Sequence, residues 1–141
     1  MDYCGDREAL LAEDPPPEDP IVRSAVSEGR LGLERARADE LLGAADRALE
    51  RAEAIRTRAE ELGYRPLVAE AWLRVGAAHQ ELRDGPLAAE AMDAAFLTAL
   101  RSQRTDIAAE ASARQIFITA DLLQRPDAAL AEVEVAQALS D

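Results

Sequence analysis

From Ile21 onward the apolar residues recur at helical spacing. Val22, Val26, Gly29, Leu33 and Ala36 follow one another in alternating steps of four and three, which places them on one face of a helix. Leu42-Gly43 predicts a break. Ala45, Ala48, Leu49, Ala52, Ile55, Ala59 and Leu62 then trace a second stripe, stopped by Gly63 with Pro66 just beyond. Glycine past the last turn can take the left-handed conformation that ends a helix, and the proline prevents it from resuming. A third helix, Leu67 to Arg83, carries Val68, Trp72, Val75, Gly76, His79 and Leu82 on one face. Asp84-Gly85-Pro86 breaks it and starts a fourth, with Ala88, Ala91, Met92, Ala95, Phe96 and Ala99. Thr105 or Asp106 caps a fifth, whose inward residues are Ala108, Ala111, Gln115, Ile118, Thr119 and Leu122. After Arg125-Pro126-Asp127 a sixth presents Ala128, Ala131, Val135 and Ala138. The pattern predicts an all-α chain of three antiparallel helical hairpins, at about 20–63, 66–102 and 105–140.

The first eighteen residues, within MDYCGDREALLAEDPPPEDP, break this pattern. Three successive prolines cannot continue a helix, and the clustered carboxylates repel one another. Residues 1–18 are expected to form a disordered acidic arm or linker, with at most a helical turn at Glu8–Ala12. Asp19-Pro20 is an N-cap followed by proline where its missing N–H costs nothing, so the helical domain is expected to span 19–141.

Composition supports helix: alanine and leucine dominate, and both lose little conformational freedom on entering one. The net charge of −12 argues against nucleic acid, whose affinity for proteins comes from basic side chains on phosphates. Residues 1–20 hold seven acidic groups against Arg7 alone, so about half of the excess lies in the arm. All sixteen basic residues are arginine. No apolar run is long enough to span a membrane, and the opening residues lack the basic and apolar segments of a signal peptide. The expected location is cytoplasmic by default, or extracytoplasmic if a longer parent chain carries a spanning helix upstream. A single cysteine, Cys4, excludes an internal disulfide and a cysteine-based zinc site; no metal or cofactor is expected.

Displacing the chain by forty residues superimposes the last two hairpins. VAEA at 68–71 lies over AAEA at 108–111, Arg74 over Arg114, Leu82 over Leu122, and Pro86 over Pro126. A fixed period of this size marks stacked supersecondary units. Within the middle unit, Trp72-x-x-Val75-Gly76-x-x-His79, then Ala88-x-x-x-Met92 and Ala95, resembles the tetratricopeptide (TPR) repeat. The resemblance implies a short right-handed α-solenoid in which Gly76 lets paired helices approach and Trp72 fills the gap between hairpins. Val75, His79 and Met92 replace the usual Leu, Tyr and Phe, Ser112 stands in the tryptophan place of the third unit, and the period exceeds the usual thirty-four. Over most of its length, through Cys4, EALLA, PPPEDPIVR, LGYRPLVAEAW and AAEAMDAAF, the chain also resembles the region following the catalytic domain in repeat-containing bacterial serine/threonine kinases, as in myxobacteria. The kinase motifs themselves are absent, so the resemblance implies a non-catalytic regulatory or scaffolding segment of a kinase.

His79 is expected to be a packed, hydrogen-bonded core residue, and Cys4 an unremarkable exposed thiol. Glu70/Arg74 and Glu110/Arg114 recur at one repeat position. Their plain reading is a pair of i,i+4 surface bridges, worth about 0.2–0.5 kcal/mol each. Their functional reading adds Ala77, Glu81, Phe117 and Asp121 in the same lane, as a concave groove that binds a protein or peptide segment. The carboxylate clamp of chaperone-binding repeats is not reproduced, since Leu73 and Ala77 stand where two of its residues would be. The alternative is a structural spacer or self-association module, with a homodimer formed through an open C-terminal end whose last helix lacks a polar outer face.

Overall fold

The structure, a computed structural model, describes residues 14–140. It is all-α: six helices pack in sequence as antiparallel neighbours, and no strand occurs among the described residues. They are α1 (Pro20–Leu41), α2 (Ala45–Leu62), α3 (Arg65–Glu81), α4 (Gly85–Arg101), α5 (Thr105–Phe117) and α6 (Pro126–Ser140); α5 continues into a π-helical segment, Ile118–Leu122. The first, third and fifth helices also touch in succession, α1 with α3 and α3 with α5.

The helix starts follow from local chemistry. Asp19 Oδ1 accepts from the Ile21 N–H at 2.9 Å, and Pro20 is the first residue of α1. Asp84 Oδ1 accepts from the Leu87 N–H at 3.1 Å, with Pro86 in the first turn of α4. Pro66 does not merely stop α2. It sits buried in the first turn of α3, which begins at Arg65 rather than Leu67. The expected cap at Thr105 or Asp106 is not made: Arg104 is the N-cap of α5, without a side-chain cap bond. Asp106 is engaged by the Arg104 guanidinium instead, through contacts of 3.0 and 2.9 Å.

Each turn between helices contains one residue with positive φ: Gly43, Gly63, Arg83, Gln103 and Gln124. The first four are spaced twenty apart and the last twenty-one. The additional residue is absorbed in the π segment, where the Leu123 N–H bonds to the Ile118 carbonyl five residues back at 2.9 Å. The register of the last helix shifts accordingly. Ala88 N–H bonds to Asp84 C=O at the start of α4, and the matching bond at the start of α6 joins Ala129 to Arg125, forty-one residues on. The Pro86/Pro126 match in the sequence is therefore one residue out of step. One residue is about 100° of helix rotation. That rotation corrects the expected inward face of α6: Ala129 is buried, while Ala131, Val135 and Ala138 are exposed.

The core has two parts that share α3. Val26, Leu33 and Ala36 of α1, with Ala48, Ala52 and Ala59 of α2, meet Leu67, Ala71, Val75 and Ala78 of α3. Ala69, Leu73 and Ala77 of α3 meet Ala88, Met92, Ala95 and Ala99 of α4 and Ile107, Ala108, Ala111 and Ile118 beyond. Small residues let these helices approach closely. A Cβ on Gly76 would lie 2.7 Å from the Met92 methyl, so any side chain there would require Met92 to shift. Trp72, partly buried, bridges both parts, with the Arg56 guanidinium 4.5 Å from its ring centroid. His79 is not the expected core residue: it lies half-buried in the last turn of α3 without a side-chain hydrogen bond among the described residues. Leu82, expected on the same inward face, is exposed.

The described end of the arm is docked. Arg65 grips Asp14 at 3.0 and 3.1 Å, and Arg23 donates to the Pro17 and Glu18 carbonyls. Cys4 and the expected turn at Glu8–Ala12 lie outside the described residues.

Candidate functional site

The first helix of each hairpin contributes one wall of a trough of about 470 Å³. Leu33, Leu73 and Ile107, from α1, α3 and α5, are nearly fully buried at its base. Leu31 stands on its rim, 54% exposed. Four arginines and four carboxylates line the rest: Arg30, Arg37, Arg74 and Arg104 against Glu34, Glu70, Asp106 and Glu110. The trough is thus close to neutral inside a strongly acidic protein.

Its charges are organised as bridges between helices. Glu70 on α3 accepts from Arg30 of α1 at 3.1 Å and from Arg104 at the head of α5 at 2.9 Å. Arg104 also holds Asp106, and these hydrogen bonds raise the already high Arg104 pKa and lower that of Asp106. Arg74 lies deeper, its side chain about nine-tenths buried. It reaches Glu110 at 3.0 Å and the equally buried Glu40 of α1 at 3.6 Å. Burial raises the Glu40 carboxyl above the usual range although Arg74 and Arg114 oppose the shift, and its Oε1 has no hydrogen-bond partner. Burial likewise lowers the Arg74 pKa. Arg114 donates to Gln80 at 3.2 Å and approaches Glu110 at 3.4 Å.

These contacts replace part of the expected ladder. Glu110 and Arg114 do form an i,i+4 pair, but Glu70 and Arg74 each turn to partners on other helices. Glu70, Arg74 and Glu110 line the trough together. Ala77 does not belong there: it is completely buried between α3, α4 and α5, where its methyl group is the packing surface. Glu81 is exposed at the end of α3, Phe117 is 49% exposed, and Asp121 pairs with Arg83 at 3.1 Å, all outside the trough lining.

The residues missed from the sequence are mainly those of α1, with Arg104 and Asp106. A signal was present. Forty residues before Glu70, Arg74 and Ala77 stand Arg30, Glu34 and Arg37, so the lane continues through the first hairpin with its charges exchanged. Among the described residues no group of His, Cys, Asp and Glu is placed to hold a metal ion, and no helix is long and apolar enough to cross a membrane. Comparison with protein-family models, with curated proteins and with solved structures gives no match.

Proposed function

We propose that this chain is a non-catalytic protein-interaction module, a TPR-like array of three hairpins in a right-handed solenoid, whose trough receives a segment of a partner protein. The observation that carries this reading is the trough itself, formed jointly by α1, α3 and α5, with an apolar base, an exposed Leu31 and pre-formed charge pairs. Side chains held by one another lose little further freedom on docking, which favours binding. Alternating charges suit a partner segment that itself carries both signs beside an apolar anchor. Regulation or localisation of a parent serine/threonine kinase is the context that the sequence resemblance supports.

The test is capture of partners from a lysate with the protein as bait, beside a bait carrying Leu31→Asp and Arg37→Glu. Both substitutions are on exposed positions of α1, so helicity by circular dichroism should be unchanged. A protein retained by the native bait and lost with the variant supports the trough. Equal retention by both baits, or none by either, removes it.

Self-association is the second reading, and it rests on α6, along which Leu130, Val135 and Leu139 are 67%, 55% and 49% exposed. Sedimentation equilibrium of the native protein and of Leu130→Glu decides it: a mass that rises with concentration only in the native protein supports this reading.

A further inference from the structure

A second cleft, of about 180 Å³, opens between α4, α5 and α6, away from the trough. Its lining includes Met92, Asp93 and Phe96 of α4, Ser112 and Gln115 of α5, and Val135 of α6. The internal repeat explains why it exists. Backbone bonds start α2 at Ala44 and α4 at Asp84, and start α3 at Tyr64 and α5 at Arg104. Both offsets are forty, upstream of the π segment, so α2 with α3 and α4 with α5 are equivalent position for position. Ser112 occupies the place of Trp72, Phe96 that of Arg56, and Asp93 that of Glu53.

In the earlier unit this place is filled. The Trp72 indole lies against Arg56, which Glu53 holds at 2.8 Å. In the later unit the indole is missing, α4 and α5 match α2 and α3 in register, and a cleft lies at this place, closed on its third side by the rotated α6. We propose that it is a binding site for a neutral or cationic indole-class ring, the shape that the same fold accommodates one unit earlier.

Three features support that chemistry. A cavity of about 150 Å³ lined by apolar side chains accommodates benzene, so about 180 Å³ suits a fused ring. Phe96 supplies an aromatic face, a favourable neighbour of a ring, beside the buried Met92. The polar requirement is specific: Gln115 Nε2 donates to Asp93 Oδ1 at 3.2 Å, which leaves Gln115 Oε1 buried without a partner. That oxygen needs a donor, and an indole carries a single N–H that only donates. Asp93 lies beside Gln115, and Glu132 across the cleft accepts from Thr119 through both oxygens at 3.0 Å. Two carboxyl groups at the wall select against an anionic ligand. Burial raises the Asp93 pKa, in keeping with the shielded wall.

The experiment is titration of the native protein with indole, followed through the Met92 methyl resonance. Parallel titrations use 1-methylindole, indole-3-acetate and N-acetyltryptophanamide. A saturable shift with indole is expected, about fivefold weaker binding for 1-methylindole, which lacks the N–H, and none for the anion. Binding of N-acetyltryptophanamide as tight as that of indole identifies a tryptophan side chain of a peptide as the source; binding of indole alone identifies a free small molecule. Ser112→Trp supplies the ring from within the chain and is expected to raise Tm and abolish the indole response. Gln115→Leu keeps the cleft, and with it the preference for indole over 1-methylindole should vanish. Absence of a saturable shift with indole in the native protein overturns the proposal, as does an undiminished response in a folded Ser112→Trp variant.

Discussion

The middle and last hairpins are built to one plan and finished differently. In the middle one, α3 is covered on both sides: Leu67, Ala71 and Val75 face α1 and α2, while Ala69, Leu73 and Ala77 face α4 and α5. Trp72 fills the space between units. In the last one, α6 has neighbours on one side only, Ala129 is its one buried residue among those described, and Ser112 stands in the place of Trp72 beside a cleft. A π segment, absent from the middle unit, joins α5 to the turn before α6. In a linear array each unit is stabilised by its neighbours, so an interior unit gains two interfaces and a terminal one gains one. Equal sequence patterning therefore does not confer equal stability.

The sharpest way to break this contrast is through the buried charges. Arg74→Ala leaves Glu40 buried without its cation and should cost about 3–5 kcal/mol in urea unfolding. The equivalent Arg114→Ala, at a more exposed site, should cost under about 1 kcal/mol. Next comes apolar packing. Leu67→Ala should cost about 3 kcal/mol, whereas Leu130→Ala on the outer face of α6 should stay within about 0.5 kcal/mol. Similar losses at the two leucines would mean that α6 is covered in solution.

The turns separate the units more gently. Gly43 and Gly63 relieve the left-handed conformation early in the chain, but Arg83, Gln103 and Gln124 adopt it with side chains, at φ of 61°, 58° and 52°. Gln103→Gly should raise stability by about 1 kcal/mol, read from the shift in urea midpoint, whereas Gly63→Ala should lower it by a similar amount.

The smallest effect is in pH dependence. Asp106 has its pKa lowered in the fold below 3.8, so its contribution is present above that value and is lost as pH falls through the folded pKa. Asp93 has its pKa raised above 3.8, so the folded state favours its protonated form. Its effect has the opposite sign: stability falls as pH rises from 3.8 through the folded pKa. Asp93→Asn should therefore become relatively more stable than the native protein across that rise, while Asp106→Asn should lose its disadvantage as pH drops below 3.8. Stability curves from pH 3 to 7 for the three proteins check both signs.

Much of the fold was legible because its signals are local. The breaks at Leu42-Gly43, Gly63, Asp84-Gly85-Pro86 and Arg125-Pro126 are turn and cap chemistry within a few residues, and the stripes between them are the period of a helix. The capping of α5 was misread because Asp106 had a stronger attraction, the guanidinium of Arg104, than the backbone N–H groups expected to engage it. The candidate site was half legible. Glu70, Arg74 and Glu110 were found through their repetition, but α1 was passed over because its charges are exchanged relative to the later units. Ala77 shared their lane by spacing alone. Spacing along a helix gives angular position, and burial depends on what packs there.

The sequence by itself determined the helices, most of their ends and the forty-residue period, since each depends on residues close together in the chain. The tertiary structure alone decided the rest. It showed which partner each charge takes, because Arg74 chooses between a carboxylate four residues away and others brought near by packing. It showed the rotation of α6, because one residue inserted in a π segment turns a helix by about 100° without altering its apolar period. It also showed a cleft beside Ser112, because a small side chain leaves a space only where the packing of the neighbouring helices does not close over it.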